Sequence, residues 1–255
     1  MRVTILGCGS STGVPLIGPE WGACRPDDPR NRRRRSSIFI EAKGVKLLID
    51  TGPDLREQCL DAGIRTVDAI LYTHAHADHL HGVDEVRSLN YHRDGPIDAY
   101  GSAETLAQIK ERFGYVFAPK HGTWWYKPQL TERVIDGPFH VGDVEIAPFD
   151  QIHGRIVTQG FRIGDFAYST DCNAFPAESE RHLENLDLWI VDCIRDRPHP
   201  SHADFATTMG WLERFQPKRA ILTHMSHELD YTELAERLPS NAEPAYDGMV
   251  IEIGE

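Results

Sequence analysis

A layered α/β fold is predicted, on three observations. Short apolar runs rich in Val and Ile alternate with segments of helical pattern through the first half of the chain. Short strand-like runs joined by Gly-Pro and Gly-Asp turns fill the next part. Clusters of His and Asp follow the ends of several of these runs, where strand ends would collect them. The 255 residues, 40% hydrophobic and 26% charged, can bury a sizeable core, and with no repeat or long linker they read as one domain spanning 1–255. A net charge of −12 argues against a general nucleic-acid or anionic-membrane binder, whose footprint is basic. An anionic substrate would then need local help from metals or arginines.

In chain order, Arg2 to Leu6 reads as a strand entering a Gly- and hydroxyl-rich loop, Gly7 to Gly13. Its backbone N–H groups and the side chains of Ser10, Ser11 and Thr12 are candidates to line an anion site; no Gly-Lys-Ser/Thr follows, so it is not a Walker-type loop. The short apolar patch at the start is not a signal peptide, and no run of ~18 apolar residues occurs, so a cytoplasmic protein without a membrane span is expected. Cys8, Cys24, Cys59, Cys172 and Cys193, odd in number and without a C-x-x-C pair, are expected as free thiols. Gly18 to Ser37, polar and rich in Pro and Arg, is expected to lack regular structure. Its run Arg32-Arg33-Arg34-Arg35 reads first as a solvated charged loop and second as a phosphate contact.

Ile38–Glu41 and Val45–Ile49 form a predicted hairpin around Ala42-Lys43-Gly44, ending in Asp50-Thr51-Gly52, and Leu55–Ala62 a helix stopped by Gly63. Val67–Tyr72 is short and apolar and reads as a buried strand. It delivers Thr73-His74-Ala75-His76-Ala77-Asp78-His79 to a strand end. Three imidazoles and a carboxylate in six residues are costly to desolvate without partners, and a divalent cation is a partner for all of them. His74 and His76 alternate by two and can face one ion, while Asp78 and His79 come next as the chain turns into a helix and can face a second.

Val83–Tyr91 and Ala103–Phe113 read as helices flanking the strand Ile97–Tyr100. Tyr115, Phe117, Trp124, Trp125 and Tyr126 point to core or interface packing, with a homodimer face or pocket rim as the alternative. From Arg133 to Phe149 and Gly160 to Ser169 short strands are expected to form a second sheet. Leu186–Asp192 is another buried strand and Ala203–Phe215 a helix. His81, His92, His121, His140, His182 and His199 match no motif and are expected at the surface or in packing.

The order His74-x-His76-x-Asp78-His79 after a strand resembles the signature of the metallo-β-lactamase superfamily of dinuclear metallohydrolases. The resemblance implies an αβ/βα four-layer sandwich, two mixed sheets face to face with helices outside, and metals at the edge where strand ends converge. It also implies further ligands: His153, Asp171 as a bridge, and His224. His74, His76 and His153 would hold one ion and Asp78, His79 and His224 the other. Asp50 would support a ligand imidazole from behind.

Gly7-Cys8-Gly9-Ser10-Ser11-Thr12-Gly13-Val14-Pro15, Trp21-Gly22, His202-Ala203-Asp204, Thr223-His224-Met225-Ser226-His227 and Asp247-Gly248-Met249 narrow the resemblance to PhnP-type phosphodiesterases that open phosphoribosyl cyclic phosphate. That resemblance implies hydrolysis of a small ribose phosphodiester, cyclic by preference, by a hydroxide bridging two metals, with His202 as general acid and Asp78 as a proton relay. Manganese is implied, and His/Asp ligation also permits zinc. The structural zinc of such enzymes is not expected, because only Cys24 and His227 stand where a four-ligand site is needed. No extended nucleic acid is expected as partner. A thioester or lactam hydrolase, a tRNA-processing nuclease and a non-catalytic metal- or nucleotide-binding sensor stay open. Nothing local separates phosphoribosyl cyclic phosphate from a 2′,3′-cyclic nucleotide.

Overall fold

Apolar side chains at both parities of a strand require cover on both faces, and this chain supplies it in layers. A computed structural model of the chain describes residues 1–119 and 126–254. His121, Trp124 and Trp125 lie outside the described residues. The elements in order are β1 (Arg2–Gly7), β2 (Ser37–Ala42), β3 (Val45–Ile49), α1 (Leu55–Asp61), β4 (Ala69–Leu71), α2 (Ala77–Leu80), α3 (Val86–Arg93), β5 (Ile97–Gly101), α4 (Ala103–Phe113), β6 (Leu130–Val134), β7 (Phe139–Val141), β8 (Val144–His153), β9 (Ile156–Ile163), β10 (Phe166–Ser169), β11 (Leu188–Asp192), α5 (Phe205–Phe215), β12 (Arg219–Thr223), α6 (Tyr231–Arg237), β13 (Ala242–Pro244) and β14 (Val250–Glu252).

Two mixed seven-stranded sheets result, ordered β14-β1-β2-β3-β4-β5-β6 and β13-β12-β11-β10-β9-β8-β7. One face of each meets the other: Val3, Ile5, Ile38, Leu47, Ile49 and Leu71 pack with Ile146, Phe161, Phe166, Tyr168, Ile190 and Ile221. The alternate residues Leu48, Ile70 and Tyr72 pack under Leu55, Val86, Leu89, Leu106 and Ile109 of the helices. On the far side Trp189 and Val191 meet Leu212 of α5. The four layers of the predicted sandwich are thus present. No described helix is long and apolar enough to cross a membrane.

Parallel pairing aligns the strand ends that matter. β3, β4 and β5 are parallel neighbours, so Asp50 and residues 73–79 emerge at one edge. In the other sheet β10, β11 and β12 are parallel, and β8 runs with them because β9 is antiparallel to both β8 and β10. His153, Asp171, Asp192 and His224 therefore share a rim. The N–H of Gln159 donates to the Thr73 carbonyl (2.9 Å) and ties the two sheets there.

The structure departs from the sequence expectation in particular places. Lys43 and Gly44, both at positive φ (49° and 78°), make the predicted hairpin turn. The predicted helix at Val83 begins as a 3-10 turn, Val83–Glu85, before α3. The strand at Arg133 belongs to the first sheet, not the second: β6 lies parallel to β5 after the α4 crossover, where such a connection returns it. α6, β13 and β14 are additions to the predicted elements; they are short and carry little apolar periodicity.

The arginine run is not a solvated loop. Arg33 is 2% exposed. Its Nη1 donates to the Ser226 carbonyl (3.0 Å) and to Cys24 Sγ (3.8 Å), and its Nη2 to Asn31 Oδ1 (3.2 Å). Asn31 and Arg25 in turn donate to Asp230, at 2.7 and 3.2 Å. Cys24 Sγ donates to the Leu229 carbonyl (3.2 Å). A buried polar network fastens the irregular segment to residues 226–231, with Arg34 and Arg35 paired to Asp61 (2.7 Å) and Asp54 (3.1 Å).

Arg33→Met removes the buried donors to the Ser226 carbonyl, Asn31 Oδ1 and Cys24 Sγ and is expected to lower the unfolding free energy by about 1–3 kcal/mol, read by denaturant titration. In elemental analysis after reconstitution, Cys24→Ser should hold as much metal as the unaltered chain; loss of a stoichiometric ion would show that Cys24 is a ligand instead.

Candidate dinuclear metal site

Donor atoms of His74, His76, His153 and Asp171 lie within 4.8 Å of one another, and so do those of Asp78, His79, Asp171 and His224. Every residue the sequence nominates as a ligand is in one of these groups, and Asp171 is in both. His76 is the exposed member; the others are buried.

Three of the candidate ligand rings, those of His74, His79 and His153, are held by a partner that dictates the tautomer. Asp50 accepts from Thr73 N–H and Oγ1–H, both at 2.8 Å, and its Oδ2 lies 2.7 Å from His79 Nδ1. A carboxylate only accepts, so His79 carries its proton on Nδ1. Thr73 Oγ1 has given its proton to Asp50 and so accepts from His74 Nδ1 (3.0 Å). His153 Nδ1 donates to the Ser201 carbonyl (2.7 Å). His224 Nδ1 lies between Ser36 Oγ (3.2 Å), which itself donates to the Gly9 carbonyl (3.0 Å), and Asp171 Oδ1 (3.0 Å). In His74, His79 and His153 Nε2 keeps the lone pair, which is the form a metal takes.

Those free atoms converge on one another rather than pairing. His74 Nε2, His79 Nε2 and Asp78 Oδ2 are buried and make no hydrogen bond with any described residue. Yet His79 Nε2 is 3.1 Å from Asp171 Oδ1 and 3.3 Å from Asp78 Oδ2, and His74 Nε2 is 3.7 Å from Asp171 Oδ2. Ligands at about 2.0–2.2 Å in tetrahedral array stand roughly 3.3–3.6 Å apart, so the spacing suits divalent cations.

The electrostatics agree. Burial pushes Asp171 up, but the charges of His224 and His79 hold it well below the usual carboxylate range. Burial, then the charge of His79, keeps His74 well below an ordinary imidazole. His79 goes the other way: burial pulls it down, but Asp171, Asp78 and Asp50 lift it well above. A proton on His79 and a divalent ion are alternative answers to the same surplus of buried carboxylate, and metal binding releases that proton.

Asp50, Asp171 and His224 adopt left-handed backbone, with φ of 65°, 53° and 58°. Asp and His tolerate this region better than most residues, and its cost is about 1–3 kcal/mol each where the surroundings impose it. All three sit where a strand end must turn a side chain inward.

His202 lies beside both clusters. Its ring stacks on His224 (4.7 Å, 12°) and stands 4.6 Å from that of His153. Its Nδ1 is 3.2 Å from Oδ2 of Asp192, a fully buried carboxylate that also accepts the Cys172 N–H (2.9 Å). Burial lowers His202, but the charge and hydrogen bond of Asp192, then Asp171 and Asp78, outweigh it and raise the ring to about 9.

Sequence reasoning missed Asp192, Thr73, Ser36 and the Ser201 carbonyl. Only Asp192 left a signal, an acid at the end of a buried strand as Asp50 is. His199, expected at the surface or in packing, sets its ring 4.8 Å from His202. Of the glycine-rich loop, Gly9 reaches the site through Ser36, and Ser10 N–H donates to the Met225 carbonyl (3.2 Å). Ser11 and Thr12 are exposed.

A model of the β-lactamase superfamily domain matches residues 46–225. An octanoyltransferase of Porphyromonas gingivalis is 36% identical over 260 residues, covering 100% of this chain and 52% of that protein. The chain thus spans about half the length of that relative. The crystal structure of a diphosphatase of the PhnP family superposes with a TM-score of 0.91 at 35% identity, covering 99% of this chain and 98% of the other. Zn(2+)-bound PqqB from Methylobacterium extorquens shares the fold, with a TM-score of 0.79 at 18% identity over 99% and 100% of the two chains. A match across more than half the chain, on this fold and with these donor clusters, places the protein in the metallo-β-lactamase superfamily of metal-dependent hydrolases, where it resembles the PhnP family.

Proposed function

We propose that this protein is a dinuclear metal-dependent phosphodiesterase acting on a small ribose phosphodiester, cyclic by preference. The observation that carries this reading is the place of His202. It is an imidazole that Asp192 raises to about 9 and holds against the edge of two donor clusters that share Asp171. A phosphoryl group at the clusters would present its leaving oxygen to a proton donor, which an alkoxide leaving group needs. Acyl transfer to water has no such requirement for a phosphate-directed acid. The octanoyltransferase likeness does not carry its activity over, since the chain spans 52% of that protein.

His74, His76 and His153 would hold one ion, Asp78, His79 and His224 the other, and Asp171 would bridge them. When bound, two such ions lower the pKa of water and neutralise charge on the phosphoryl group. Manganese is favoured, with zinc as the alternative; imidazole and carboxylate donors suit both. The chain's own residues do the rest. Asp50, Thr73, Ser36 and the Ser201 carbonyl fix the ligand rings. Asp192 orients His202 and keeps its proton available, His202 delivers that proton to the leaving oxygen, and Asp78 relays a proton in turn.

Metal content tests the ligand assignment. Asp171→Ala should lose both ions on dialysis, whereas His224→Ala should mainly weaken one; two tightly held ions in Asp171→Ala would show that it is no bridge.

Kinetics test the acid. General acid catalysis contributes ~10²–10⁴-fold, so His202→Ala should lower kcat by about that much on an alkyl phosphodiester with metals retained. A nitrophenyl ester, whose leaving group departs unaided, should lose far less. Asp192→Asn should show the same pattern at smaller size. Equal losses on both esters would make His202 a phosphate-positioning residue.

A further inference from the structure

His76 is the candidate ligand whose ring nothing holds from behind. The rings of His74, His79 and His153 each give an Nδ1 proton to a fixed partner, and that of His224 lies between Ser36 and Asp171. No described residue hydrogen-bonds to the His76 ring, which is exposed and stands edge-on to the rings of His74 (4.4 Å) and His153 (5.1 Å). Its direction therefore depends on its backbone, which has φ of −65° and ψ of 156° at the turn into α2. Whatever fixes the peptide planes on either side of His76 decides where the ring points.

The plane after His76 is fixed by the helix it opens, since its carbonyl accepts the His79 N–H (3.1 Å). The plane before it is fixed by a side chain: Arg112 Nη1 donates to the carbonyl of Ala75, a buried residue. Arg112 reaches that carbonyl because of its place on α4. Thr105, Leu106 and Ile109 form the buried face of this helix, and Leu106 and Ile109 pack with Tyr72, Ala75 and Leu80. Residue 112 is three beyond Ile109 and continues the same face by one turn, where an apolar side chain would be ordinary. A long stem there can follow the packed face while its charged head reaches past it. Gln108 Oε1 accepts from Arg112 Nη2 (3.2 Å), and Gln108 Nε2 donates to Glu104 Oε1 (3.3 Å), so side chains one turn apart hold the guanidinium in place. Next to it, the rings of Phe113 and His81 meet at 5.5 Å and tie the end of α4 to the end of α2.

We propose that Arg112 is a positioning residue for the metal centre: by holding the peptide between Ala75 and His76, it aims the candidate ligand ring that lacks a partner of its own. This rests on the dinuclear metal reading and adds to it a support that comes from the outer helix layer. Arg112 acts here against its own charge. A guanidinium near a site for divalent cations repels them, so on electrostatic grounds alone its removal leaves ion binding unchanged or tighter. A loss of affinity on removing it has to come through geometry.

The test is a titration of the metal-free chain with Zn2+ against a competing chelating dye. Arg112→Met keeps an unbranched stem and loses every donor; it should weaken one of the two ions roughly 10–100-fold, the range for partners that orient a ligand, and leave the other nearly unchanged. Arg112→Lys keeps a donor on a long stem and should recover most of that loss. In a His76→Ala background Arg112→Met should cost nothing further, because the ring it aims is gone. Unchanged or tighter binding in Arg112→Met would overturn the proposal. A full loss that persists without His76 would do the same, since Arg112 would then act through folding or through another ligand. If the unaltered chain binds no Zn2+, the metal reading itself fails, and NMR of the metal-free protein still decides Arg112. Losing a hydrogen bond at the Ala75 carbonyl should shift the amide nitrogen resonance of His76, which belongs to the same peptide group. An unmoved His76 amide would discard the role.

Discussion

The Asp171 carboxylate is the constraint on which the rest of this molecule depends. It is 2% exposed, within 3.0 Å of His224 Nδ1, 3.1 Å of His79 Nε2 and 3.7 Å of His74 Nε2, and it sits just past the end of β10. A buried carboxylate without compensating charge is too costly to keep ionised. Asp78 and Asp50 stand close by, so neighbouring acids deepen the problem instead of relieving it. Either protons on the surrounding imidazoles or divalent cations must balance the site, and the Nδ1-side hydrogen bonds bias the rings toward the second solution. The outer partners thereby select between a protonated cluster and a metal centre.

The architecture serves that selection. A ring is oriented from behind only if its support is as rigid as the ring, and here the supports are strand ends and backbone carbonyls. Asp50 comes directly after β3 and Asp192 closes β11, each a buried acid holding an imidazole from a neighbouring segment. The first fixes a candidate ligand and the second a candidate acid. One structural device, placed in each of the two sheets, yields two chemically different histidines because one ring faces the donor clusters and the other lies on their edge.

How much the sequence discloses depends on how local each signal is. Residues 73–79 put several functional side chains on one short stretch, and alternation by two already implies a shared face. The layered fold is equally local, since each strand announces its own burial. Asp192 and His202 are ten residues apart, and Ser36 and His224 are 188 apart, so only the tertiary structure makes them partners. The Ser201 carbonyl has no side-chain signature at all. Arg33 shows the converse error: four adjacent arginines look like solvent-exposed charge, and nothing local indicates that one of them is enclosed by a carbonyl, an amide and a thiol. β6 looks like the strands after it, whereas its sheet is set by the helix before it.

An acidic chain that acts on an anion, as proposed, would have to solve attraction locally. At physiological ionic strength charges farther than about 8 Å are largely screened, so the net charge of −12 matters less at the site than the few groups that face it. Many of the acidic residues elsewhere on the surface are engaged by arginines, as Asp68, Asp98, Asp196 and Glu228 are. The donor clusters concentrate positive charge only when cations fill them. On the proposed reading, charge arranged this way rewards a compact anionic ligand that meets the filled clusters. It gives little to a long polyanion, whose remaining phosphates would lie along an acidic surface. On the proposed reading, the same distribution is ill suited to an extended polyanion and suits a compact anionic molecule.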